Sequence, residues 1–139
     1  MSDPLYGKPL LRLAADAVGA GRLGEFDAEA TVYNPACGDR ISVTIRSDGS
    51  GRITALGHET HACVLTQASA SILAAHAFDL DQVRMRELRD EVAAMLRGDG
   101  GVAAPFQDYE VLKPAAMYRN RHICIFLPID AALKALEQR

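Results

Sequence analysis

The residues of this chain best suited to chemistry are three cysteines and one aspartate: Cys37, Asp39, Cys63 and Cys124. A thiolate binds soft or borderline metals and attacks sulfur, and a carboxylate supplies a harder oxygen donor. Three cysteines are too few, and odd in number, for a disulfide framework. In a reducing compartment the choices are inert core thiols, metal ligands or reactive thiols. No CxxC pair favours metal on spacing alone. The Cys37-Gly38-Asp39 triplet puts a carboxylate two residues from a thiol, in a glycine-containing turn that can curl both toward one point. Asp39 could equally cap that turn.

The elements that must carry these residues follow from hydrophobic period and punctuation. Leu10 to Val18 has apolar residues at helical spacing and is ended by Gly19, Gly21 and Gly24. Ala28 to Asn34 alternates as a strand, and Asn34-Pro35-Ala36-Cys37-Gly38-Asp39-Arg40 is turn chemistry. Ile41, Val43 and Ile45 alternate with Ser42, Thr44 and Arg46, which predicts a half-buried strand. Asp48-Gly49-Ser50-Gly51 is a hairpin loop, and Arg52 to His58 returns as its partner. Ala62 to Phe78 is a helix with an apolar stripe and a run of small residues, Ala68 to Ser71, that permits close approach. Asp81 to Arg97 is a second helix, with Leu88, Val92, Met95 and Leu96 inward and Arg84, Arg86, Arg89 and Asp90 outward. Residues 98–109 form an irregular loop, and Tyr109 to Ala116 holds a short helix interrupted by Pro114. A last helix carries Ile125, Ile129, Leu133 and Leu136, with Pro128 expected in its first turn, where a missing N–H costs nothing. Cys37 then sits in a turn, Cys63 in the first turn of a helix and Cys124 near the start of another. A helix N-terminus carries partial positive charge and stabilises a thiolate.

The composition frames these readings. The 139 residues fit one domain, 1–139, and 49% hydrophobic with 24% charged residues are ordinary globular values. A net charge of −3 argues against a nucleic-acid or anionic-membrane partner, because both need a basic footprint. No apolar run reaches a membrane span, and Met1 to Lys8 is not a secretory signal, so the expected compartment is the cytoplasm.

Two segments carry a family resemblance. Asn34-Pro35-Ala36-Cys37-Gly38-Asp39 resembles the NPxCGD segment of the NifU N-terminal/IscU/SufU family, and Cys63 with Ala68-Ser69-Ala70-Ser71 resembles its GC-x(4)-AS-x-S segment. Cys124, ahead of a C-terminal helix, completes the set, and the resemblance runs over roughly residues 5 to 138. It implies an α+β fold: a small three-stranded antiparallel sheet with helices packed on one face. It implies a site of Cys37, Asp39, Cys63 and Cys124 holding Zn2+ or the irons of a [2Fe–2S] cluster.

The long stretch from Cys63 to Cys124 resembles the SufU branch more than IscU. That branch implies a zinc-dependent sulfurtransferase role in iron–sulfur cluster assembly, taking persulfide sulfur at Cys124 from a cysteine desulfurase. Arg121 would then stabilise a thiolate or persulfide there. A scaffold for a transient cluster and a non-catalytic metal-binding adaptor are the alternatives, and other cluster assembly or acceptor proteins are further expected partners. Leu13 to Gly24 departs from the family's DHYxNPRNxG stretch, and Ala62 replaces a glycine, which bears on partner recognition. His61 and His122, each two residues before a cysteine, are candidates to join the metal.

Overall fold

The computed structural model describes residues 7–35 and 38–138. The order is α1 (Lys8–Asp16), β1 (Ala28–Asn34), β2 (Asp39–Ser47), β3 (Ile53–His61), α2 (Val64–Ala75), α3 (Gln82–Leu96), two 3-10 segments (Gln107–Met117 and Arg119–Arg121) and α4 (His122–Glu137). The strands form one antiparallel sheet in the order β1-β2-β3, as the resemblance implies. Asn34 pairs with Asp39 across the first turn, and Arg40 pairs with His61 across the second hairpin.

Alternation decides which face of the sheet is covered. Ile41, Val43 and Ile45 of β2 point to one side with Ala28 and Ala30 of β1, and all are buried. The helices lie on that side, with α4 against β1 and β2 and α2 between α1 and α4. The small residues of α2 permit this: Ala68, Ser69, Ala70 and Ser71 are all buried. At the β2–β3 loop the Asp48 carboxylate accepts from the N–H of Ser50 at 2.8 Å and of Arg52 at 3.0 Å, which closes the turn. Asp81 caps α3 by accepting from the Arg84 N–H at 2.8 Å. No helix among the described residues is long and apolar enough to cross a membrane.

Three expectations are corrected. Pro128 lies in the second turn of α4, since the helix already begins at His122. The segment around Pro114 is one 3-10 run, Gln107–Met117, two residues longer at its start than the periodicity predicts. Arg84 and Arg89 are half-buried rather than simply outward. Arg84 pairs with Glu91 at 2.8 Å, and Arg89 reaches across to Asp130 of α4 at 2.6 Å with its guanidinium 4.5 Å above the Phe126 ring. Their long stems cover apolar surface while the charged ends find carboxylates.

Candidate metal centre

Three chain segments deliver donors to one end of the sheet. Asp39 is the first residue of β2, held in register opposite Asn34. Cys63 lies between β3 and α2, with extended backbone (φ −68°, ψ 170°) as the N-cap of α2, one residue ahead of the helix rather than inside its first turn. Cys124 is in the first turn of α4. One ligand atom from each of Asp39, Cys63 and Cys124 lies within 4.8 Å of the others. Cys124 is buried, whereas Asp39 and Cys63 are half-buried, so the cluster opens to solvent on their side.

Polar contacts hold the arrangement. The Cys124 thiol lies 3.9 Å from Asp39 Oδ2, and the buried Asn34 side chain donates from Nδ2 to Cys124 Sγ at 3.8 Å. Thr66 Oγ1 donates to the Cys124 carbonyl at 2.8 Å and lies 3.7 Å from Cys63 Sγ. With its single proton committed to that carbonyl, the hydroxyl offers Cys63 a lone pair. Cys63 thus caps α2 and Cys124 lies in the first turn of α4, so both sulfurs are set by helix starts.

The donor chemistry fits a metal. Zinc binds thiolate at about 2.3 Å and carboxylate at about 2.0–2.2 Å, which sets tetrahedral ligand atoms roughly 3.5–3.8 Å apart. The 3.9 Å between Cys124 Sγ and Asp39 Oδ2 is close to this spacing. Iron in a small cluster takes thiolate in the same way.

The remaining predicted residues fall as follows. Cys37 lies outside the described residues. Arg121 is half-buried at the N-cap of α4. His122 opens α4 and donates from Nε2 to the carbonyls of Ala115 and Ala116 at 3.2 and 3.1 Å, which ties it to the preceding 3-10 segment. His61 is exposed at the end of β3. Among the described residues neither histidine joins the Asp39–Cys63–Cys124 cluster. Asn34 and Thr66 also touch this cluster, though no periodicity in the sequence predicts a role for them there. The signal for Thr66 is its position three residues after a capping cysteine, which places it on the same side of the helix start.

The sequence matches the family model for the NifU-like N terminal domain over residues 5–124. It is 32% identical to the N-terminal part of a nitrogen-fixing NifU-like protein from Brucella abortus, over 98% of this chain and 94% of that one, with a TM-score of 0.89. The fold also matches a candidate iron–sulfur cluster assembly scaffold protein for the SUF system from the thermophile Fervidobacterium islandicum AW-1. That match has a TM-score of 0.82 at 20% identity, over 95% of this chain and 96% of the other. No curated protein matches the sequence. The motifs, the sheet with its one-sided helices and the family match together establish that the chain belongs to the NifU-like N-terminal domain family.

Proposed function

We propose that this protein acts in iron–sulfur cluster assembly in the cytoplasm, binding metal through Cys37, Asp39, Cys63 and Cys124 and receiving persulfide sulfur at Cys124. The observation that carries the reading is the convergence of Asp39, Cys63 and Cys124 within 4.8 Å from three segments far apart in sequence. Cys37, two residues before Asp39 in the chain, supplies the fourth donor. A bound zinc would keep the thiols deprotonated at neutral pH.

The sulfur step is a thiolate–disulfide exchange. The Cys124 thiolate attacks the outer sulfur of the desulfurase persulfide, the persulfide S–S bond breaks, and the desulfurase cysteine leaves as its thiolate. A new S–S bond at Cys124 carries the sulfur, with no net change of redox state. Arg121, three residues upstream, offsets the negative charge of the terminal sulfur. Metal analysis of freshly purified protein, with persulfide transfer measured on Cys124→Ser, tests this. The expected result is bound zinc and desulfurase stimulation that the variant loses; absence of both would overturn it.

A second reading has its own support. A carboxylate among thiolates makes a labile cluster ligand, and the Fervidobacterium islandicum structure is described as a scaffold. On this reading the same four side chains build and release a [2Fe–2S] cluster as cargo. Anaerobic reconstitution with iron and sulfide should then give cluster absorption, and no absorption would rule it out.

A further inference from the structure

We infer that Thr66 is a positioning residue for Cys124, standing in for the helix hydrogen bond that Pro128 removes; the inference rests on the metal-binding reading of the site. In an α-helix the carbonyl of residue 124 takes the N–H of residue 128. Residue 128 is proline, which has no N–H and whose ring crowds the carbonyl four residues before it. Buried carbonyls need donors, and the fully buried Thr66 hydroxyl donates to this one at 2.8 Å from the neighbouring helix.

The next carbonyl is gripped in the same way. Ser69 Oγ donates to the Ile125 carbonyl at 2.7 Å, and the buried Tyr109 hydroxyl lies 3.0 Å from both Ser69 Oγ and the Ser69 carbonyl. Thr66 and Ser69 are three residues apart, so one face of α2 holds two successive peptides of α4. The first of these belongs to Cys124 itself, so its rotation carries the sulfur with it. Thr66 Oγ1 is also 3.7 Å from Cys63 Sγ. One side chain therefore holds the Cys124 peptide while packing against the second sulfur of the site, and a metal site needs its donors placed to within about half an ångström.

The test uses the full chain as Thr66→Val, Thr66→Ser, Pro128→Ala and Thr66→Val/Pro128→Ala. Zinc affinity is read by chelator competition, and the alkylation rate of Cys124 in metal-free protein by mass spectrometry. Thr66→Val should weaken zinc binding about tenfold or more and speed alkylation, and Thr66→Ser should stay near wild type. Pro128→Ala restores an N–H, so Thr66→Val should cost much less in that background. Wild-type behaviour of Thr66→Val, or an equal loss in both backgrounds, would overturn the proposal. If Thr66→Val alone does not fold, recovery of the fold by Pro128→Ala supports the proposal and failure to recover it refutes it. If the wild-type protein binds no zinc, the metal reading falls, and the alkylation series still decides the role of Thr66.

Discussion

The His58 ring donates from Nε2 to the Val18 carbonyl at 2.8 Å, while its Nδ1 lies 2.8 Å from Thr60 Oγ1. A carbonyl only accepts, so Nε2 carries the proton and Nδ1 accepts from the threonine. The neutral ring thus ties β3 to the segment after α1, where Gly21 N–H donates to the His58 carbonyl at 2.7 Å and His58 N–H donates to Gly19 at 3.0 Å. Burial lowers the His58 pKa below its usual 6.5, only partly opposed by the bond to Val18. The folded state therefore holds a proton less readily than the unfolded state. The stability from His58 is fully present above pH 6.5, falls as pH drops through 6.5, and levels off once the folded ring also protonates. Thermal melts from pH 8 to pH 5 should show this decline, and His58→Ala should flatten it while costing about 1–3 kcal/mol at neutral pH. An unchanged pH profile in the variant would exclude His58 as its source.

Metal should stabilise the fold by mass action. Zinc at a hundredfold excess over its Kd adds about 2.7 kcal/mol, and a chelator removes it. Cys63→Ser, Cys124→Ser and Asp39→Ala should each lose most of the zinc-dependent rise in Tm. Retention of the full rise in all three would place metal elsewhere.

Tyr109 is fully buried beneath α2, and burial raises its phenol well above the usual 10.0, against the smaller effect of the Ser69 bond. A raised pKa gives stability that is present below pH 10 and lost as pH rises through it. An alkaline absorbance titration should show one phenol ionising only on unfolding, and that component should be missing from Tyr109→Phe. The variant should also lose about 0.5–1.5 kcal/mol with the hydrogen bond from the Tyr109 hydroxyl to Ser69.

Two glycines should respond differently to one methyl group. A Cβ at the buried Gly57 would collide with the Gly21 carbonyl oxygen and come within 3.2 Å of Thr44 Oγ1 and 3.3 Å of Leu23 Cγ. Gly57→Ala should therefore cost about 1–3 kcal/mol. A Cβ at Gly49, in the β2–β3 loop, meets nothing within 4 Å, and Gly49→Ala should stay within about 0.5 kcal/mol of wild type. Urea melts of the two variants check the contrast.

Local signals in the sequence located the elements well, and long-range contacts were hidden from them. Ala28–Asn34 is legible as β1 because alternation ends at Asn34-Pro35, and α3 is legible because Asp81 caps an amphipathic run. The start of α2 is displaced because Ala62 and Cys63 continue its apolar pattern, while the backbone at Cys63 is extended. Pro128 misleads for a related reason. Its usual place is the first turn, and only a hydroxyl from a helix some sixty residues earlier, 58 positions before Cys124, makes the second turn tolerable. Asp39, Cys63 and Cys124 stand out by residue type and motif. Asn34 opens the same motif, but its role does not show, because its contact with Cys124 spans 90 positions that no local period reveals.

The 85 positions between Asp39 and Cys124 also set an order of assembly. The two hairpins of β1-β2-β3 close short loops, whereas the cluster of Asp39, Cys63 and Cys124 waits for the C-terminal helix to dock, and distant contacts of this kind form slowly. During synthesis the N-terminal sheet emerges first. A nascent chain therefore carries Cys63 before it carries Cys124, and the site cannot close until α4 has been made.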